Sequence, residues 1–118
     1  MKLEEFRVYQ LSMEIAEEVW DIILKWDNMA KFTIGEQFIR AIDSVAANLS
    51  EGYGRYHYKE AKHFAYYSRG SLFESKTWLT KAKNRHLINE DIFNKMMSTL
   101  DNIGVKLYNY ISSIGNTK

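Results

Sequence analysis

No proline occurs anywhere in the 118 residues. Proline inside a helix removes a backbone donor and clashes with the preceding turn, so its absence removes the commonest interrupter of long helices. The period of the apolar residues then decides the fold, and that period is three to four throughout. No stretch alternates with the period of two that marks a strand. With 46% hydrophobic and 26% charged residues, the chain is globular and large enough for one buried core. It reads as a single domain over residues 1–118, without repeats, linkers or low-complexity runs.

Four helical segments follow. The first is expected from about Glu4 to Asp27. Phe6, Tyr9, Met13, Ala16, Trp20 and Ile23 form one apolar stripe, and Val8, Leu11, Ile15, Val19, Ile22 and Trp26 form another beside it. Together they cover more of the helix than one core contact requires. Either this helix lies deep in its own bundle, or the extra stripe packs on another subunit. In the second case Ile22 and Trp26 are the expected subunit contacts.

The second segment is expected to start at Thr33. Thr33-Ile34-Gly35-Glu36 has the form of a capping box, and Gly52-Tyr53-Gly54 offers a left-handed stop. Phe38, Ile42, Val45 and Leu49 form its core edge. The third segment, from about Tyr58 to Arg85, carries a row of small or apolar residues at Ala61, Ala65, Ser68, Leu72, Ser75, Leu79 and Ala82. Small side chains let backbones approach closely, which makes this row the expected seam. The fourth segment begins at Asn89, a good cap, with Glu90 and Asp91 where the helix dipole favours acids. Its apolar stripe runs from Phe93 to Ile114, and Gly115 is the expected stop. The connections near 28–32, 53–57 and 86–89 are short, so sequential helices should be antiparallel neighbours. The fold expected is an all-α, up-down-up-down four-helix bundle.

Charge is unevenly spread. Residues 1–54 hold five Lys/Arg against ten Asp/Glu, whereas residues 55–86 hold eight against two, together with all three histidines. Within the third segment Arg55, Lys59, Lys62, Tyr66, Arg69, Phe73, Lys76, Thr80 and Lys83 follow steps of three and four. Six cations and two aromatics thus share one ridge, about 42 Å long at helical rise. Spaced cations suit phosphates and interleaved aromatics suit base stacking. The same pattern also describes a solvated helix face with its aromatics at an interface.

Other motifs carry less. Glu60-Ala61-Lys62-His63 is a Glu-x-x-His unit, but a bundle di-metal site needs two such units, and Lys83 stands where the second glutamate would be. Gly52-x-Gly54 follows no strand, so it supports no nucleotide loop. There is no cysteine, which excludes disulfides and thiolate ligands. No metal, cofactor or catalytic activity is expected. Without an apolar leader or a run of about 18 apolar residues, the expected location is the cytoplasm and no membrane contact is expected.

The run Gln37-Phe38-Ile39-Arg40-Ala41-Ile42-Asp43-Ser44-Val45-Ala46-Ala47-Asn48-Leu49-Ser50-Glu51-Gly52-Tyr53-Gly54-Arg55 resembles the signature of the four-helix bundle proteins encoded in 23S rRNA intervening sequences. Phe64 through Glu74, with Gly70-Ser71-Leu72, resembles that family's second block, and Phe6-Arg7-Val8-Tyr9-Gln10 resembles its start. The resemblance implies a four-helix protomer in a homopentameric ring. It also implies kinship with the accessory protein of diversity-generating retroelements, a basic pentamer that binds nucleic acid and a reverse transcriptase. The polar row Arg40, Ser44, Asn48, Glu51 and Arg55 falls on family positions. It reads first as a structural network ordering the second helix, and second as a ligand site. Two functions follow as expectations. One is an oligomeric module that binds RNA or DNA weakly through Arg55, Lys59, Lys62, Tyr66, Arg69, Lys76 and Lys83. The other is a scaffold that binds itself and a protein partner, with no nucleic-acid role.

Overall fold

The structure is a computed structural model that describes residues 2–3, 6–55 and 57–115. The described residues form an all-α protein of four long helices: α1 (Arg7–Ile23), α2 (Glu36–Tyr53), α3 (Tyr58–Asn84) and α4 (Glu90–Ser113). No strand occurs among them. The expected start of the first helix at Glu4 lies outside the described residues. The four helices are neighbours in cyclic order, with α1 on α2, α2 on α3, α3 on α4 and α4 back on α1. One apolar cluster fills the space between them, drawing Ile15 and Val19 from α1, Ile42 and Leu49 from α2, Leu72 and Leu79 from α3, and Ile103 and Leu107 from α4. The molecule measures 51 × 23 × 21 Å, its long axis set by helices of up to 27 residues.

The α3 seam is as the spacing predicts. Ala61, Ala65, Ser68, Leu72, Ser75, Leu79 and Ala82 are all buried. Their small size brings α2 and α3 close enough for the Ser68 hydroxyl to donate to the Val45 carbonyl across the interface at 2.7 Å. Ser12 and Ser75 are equally buried, and each donates to the carbonyl four residues back. No buried hydroxyl in this seam is therefore left unpaired.

The entry to α2 differs from expectation. Thr33 and Glu36 form no capping box. The cap is Asp27, whose Oδ1 accepts from the Ala30 amide at 3.0 Å. An acid at this earlier position starts a helical turn at Asn28–Ala30, which runs through π-helical Lys31–Gly35 into α2 without a break. Thr33 is then an interior residue, and its hydroxyl donates to the Met29 carbonyl at 2.6 Å. Gly35 is where this wide turn meets α1. A Cβ there would lie 2.8 Å from Ile23 Cγ2 and 3.2 Å from the Ala30 carbonyl oxygen.

The exit from α2 differs too. Neither Gly52 nor Gly54 is left-handed, since the positive φ values among the described residues belong to His86 and Gly115. Gly52 serves instead to let α3 approach, because a Cβ would fall 2.8 Å from Phe64 Cβ. Gly115, at φ 82°, follows the end of α4 as its position predicts. Asn89 caps α4 as expected, its side chain accepting from the Ile92 amide at 2.8 Å.

His86 occupies the left-handed position after α3 at φ 61°. The Leu87 amide reaches back to the Ala82 carbonyl at 2.9 Å and the His86 amide to that of Lys83 at 3.0 Å. These two bonds make a Schellman closure, which favours glycine at that position, and a side chain there costs roughly 1 kcal/mol. His86→Gly should therefore stabilise the protein by about 0.5–1 kcal/mol, raising the thermal midpoint by a few degrees. An unchanged or lowered midpoint would mean that the imidazole makes compensating contacts in the turn.

Candidate functional site

The ridge on α3 is brought together on the side facing α4, and that neighbour changes its charge. Lys76 Nζ sits 2.8 Å from Asp101 Oδ1, and Lys83 Nζ is 3.6 Å from Glu90 Oε2. Both carboxylates belong to α4. Arg55 is drawn back toward the end of α2, where it pairs with Glu51 at 2.7 Å and Glu60 at 3.7 Å and lies 4.9 Å from the Phe64 ring centroid. Three of the six cations are thus matched by acids. Lys59, Lys62 and Arg69 have no carboxylate within ion-pair distance among the described residues. Tyr66 stands between Lys62 and Arg69 and is 48% exposed. Farther along, Arg69 and Lys76 both lie over the exposed Phe73 ring, at 5.5 and 5.2 Å from its centroid. The free basic surface is a short patch of three cations with two aromatics, not a stripe of the whole helix.

The polar row on α2 is collected on one face as its spacing predicts, but it is no buried network. Arg40 Nη2 meets Glu36 Oε1 at 3.4 Å, with the two side chains 69% and 58% exposed. Ser44 donates to the Arg40 carbonyl at 2.8 Å, and Asn48 to that of Ser44 at 2.9 Å. The bonds of Arg40, Ser44 and Asn48 stay within α2 at i to i+4 and report helical spacing, whereas Arg55, past the end of α2, joins Glu51 of α2 to Glu60 of α3.

The apolar surface of α1 also lies elsewhere than expected. Trp26 is buried in the protomer's own core, and Ile22 is half-buried against it. The indole Nε1 of Trp26 has no hydrogen-bond partner among the described residues. Of the other stripe, Ala16 and Ile23 are buried while Met13 and Trp20 are uncovered on the side shared with α2, as is Leu24, which lies in neither stripe. Trp20, Leu24, Phe32 and Ile39 line a groove of about 290 Å³ with Lys31 and Glu36 at its rim. Phe32 is 65% exposed. A second depression of about 260 Å³ continues along the same two helices past Met13, Ala16, Glu17, Asp43 and Ala47. Burial among these apolar neighbours, followed by repulsion from Glu17, raises the Asp43 carboxyl above its ordinary pKa.

Trp20 shares its stripe with buried Ala16 and Ile23, so the period does not mark it as exposed, and Leu24 falls in neither stripe. A signal was present in the connection, where Met29 and Phe32 are large apolar residues with no helix face assigned to them. Among the described residues no three His, Asp or Glu side chains gather to hold a metal ion. Glu60 of the Glu-x-x-His unit lies beside Arg55 instead. No helix among them is long and apolar enough to cross a membrane.

The arrangement defines a small all-α protein with four helices around one core, whose distinctive features among the described residues are an exposed apolar groove and a short basic patch. The chain belongs to the 23S rRNA-intervening sequence protein family, which it matches over residues 4–109. It is similar to a crystal structure described as a protein with unknown function from the S23 ribosomal protein family of Bacteroides thetaiotaomicron VPI-5482. The two superpose with a TM-score of 0.83 at 19% sequence identity, covering 89% of this chain and 95% of that one. At that identity the likeness shows the fold. No curated protein matches the chain.

Exposed i,i+4 ion pairs contribute little to stability, typically about 0.3–0.5 kcal/mol. Arg40→Ala should therefore lower stability by no more than about 0.5 kcal/mol in thermal or urea melts. A loss of several kcal/mol would mean that Arg40 is held in a desolvated contact that the protomer alone does not provide.

Proposed function

We propose that this protein is a non-enzymatic, self-assembling four-helix bundle of the cytoplasm, working as a scaffold. Its helices alternate up and down, which the short connections favour. The observation that carries the reading is the uncovered apolar face of α1 and α2, where Met13, Trp20, Leu24, Met29 and Phe32 are all exposed. Contiguous apolar surface of this kind marks a contact site. A pentamer is the expected assembly, on the family resemblance.

Light scattering at micromolar concentration should give a mass several times the 13.9 kDa of one chain. Trp20→Asp and Leu24→Asp should each reduce it to the protomer mass while leaving the helical circular dichroism unchanged. Both side chains are about half exposed in the protomer, so folding does not require them. A wild-type monomer would sink the reading.

Weak nucleic-acid binding is a second reading, favoured by Lys59, Lys62 and Arg69 standing free of carboxylates around Tyr66. Three available cations set its size. The slope of log affinity against log salt should be no steeper than about −3 on duplex DNA, where all six cations would give about −5. No binding of mixed RNA or DNA at moderate salt would leave the scaffold reading alone.

A further inference from the structure

Self-assembly through the α1–α2 face leaves a question of what covers that face. Its depression carries Glu17 and Asp43, and neither has an ion-pair partner among the described residues. The ridge cations Lys76 and Lys83 reach acids of α4, which places the ridge on the α3–α4 side. Because the helices neighbour one another in cyclic order, the α1–α2 side and the α3–α4 side are opposite faces of the protomer. The α1–α2 face presents the unpaired acids Glu17 and Asp43, with Lys31 at the rim of its groove, and the other face presents the unpaired cations Lys62 and Arg69.

We propose that copies associate head to tail, the α1–α2 face of one seated on the α3 ridge of the next, with Glu17 and Asp43 set against Lys62 and Arg69. This pairing rests on the self-assembly reading and names the partner surface within it. Charge decides between the alternatives. A face packed on its own counterpart would set two depressions that each carry unpaired Glu17 and Asp43 close together, or two patches that each carry Lys62 and Arg69. Like charges set together oppose association, while opposite charges fix register and suppress wrong partners. The apolar groups match as well. Trp20, Leu24 and Phe32 on one face meet exposed Tyr66 and Phe73 on the other. The ridge is long enough to carry the apolar row, since Met13 to Leu24 spans about 16 Å and Lys59 to Phe73 about 21 Å at helical rise. The Asp43 carboxyl, whose pKa is raised by partial burial and by Glu17, is also a place where an incoming cation relieves an existing penalty. Contacts between two different faces generate a ring when the rotation closes.

The test exchanges the charges. Glu17→Lys with Asp43→Lys makes both faces basic, and Lys62→Glu with Arg69→Glu makes both acidic. Each double variant alone should lose assembly by about tenfold or more in concentration. An equimolar mixture should form particles in which the two variants alternate, as open chains or even-numbered rings because a ring of five cannot alternate, and native mass spectrometry should find both variants in one particle. Two variants that dissociate and stay apart when mixed overturn the pairing, because the charges then do not face each other. Variants that remain assembled overturn it while self-assembly stands. Acidic-ridge variants that stay assembled but lose mixed-sequence RNA overturn it and give the ridge to nucleic acid. A wild-type monomer removes the self-assembly reading and the pairing together. Circular dichroism checks folding of each variant. Should a reversal not fold, Glu17→Gln with Asp43→Asn serves instead. Wild-type assembly should then weaken between about 0.05 and 0.5 M salt, and the neutral variant should lose that dependence. Equal salt dependence in both overturns the pairing.

Discussion

The close approach of α2 and α3 is the constraint on which the rest of the structure depends. It is made by residues with almost no side chain. Gly52 admits Phe64, Ala61 and Ala65 keep the seam thin, and the Ser68 hydroxyl spans it to the Val45 carbonyl. Adding a methyl group at Gly52 would bring atoms within 2.8 Å, in a core that does not yield without strain. Because this pair is so tight, the outer faces of both helices are fixed in direction. The α2 row of Arg40, Ser44, Asn48 and Glu51 is turned outward, and the α3 ridge is turned toward α4.

What could be read from the chain was whatever local chemistry alone decides. The seven small or apolar positions of α3 are buried because one narrow stripe on a long polar helix has only one way to face inward. Asn89 caps α4 because nothing upstream competes with it. Where two local solutions compete, the period gives no answer. Asp27 lies six residues before Thr33, and the earlier cap wins because the intervening residues can continue as helix, with a π turn absorbing the misfit at Gly35. On α1 the stripes through Val19 and Trp20 are separated by about 100° and both reach the core, one through Ile15 and Val19 and the other through Ala16 and Ile23, so the period does not say which members stay exposed. The side chains of α2 and α4 decided it, burying Val19 and leaving Trp20 uncovered. The spacing of the polar row was legible, but its burial was not, since burial depends on what packs against a face.

The same limit governs the basic ridge. Its spacing is local, but the acids that neutralise Lys76 and Lys83 come from α4. Counted along the chain the ridge holds six cations, whereas in the folded protein three of them, Lys59, Lys62 and Arg69, stand without acid partners. That reduction weakens the argument for a polyanion, whose binding grows with the number of phosphates neutralised. It leaves intact the argument for a partner with a few acids in fixed places.

A protomer with near-zero net charge and opposite charges on opposite faces has a distinctive association chemistry. Its affinity must come from apolar contact, here Trp20, Leu24 and Phe32, because rim charges in water contribute little energy. The charges act on orientation. They leave a head-to-tail contact uncompensated only at its two open ends, which a closed ring abolishes. Salt screens this orienting term over about 10 Å at 0.1 M but hardly touches the buried apolar term. On the proposed pairing, the two parts separate physically: the apolar groove sets how tightly copies hold, and Glu17, Asp43, Lys62 and Arg69 set which face they hold by.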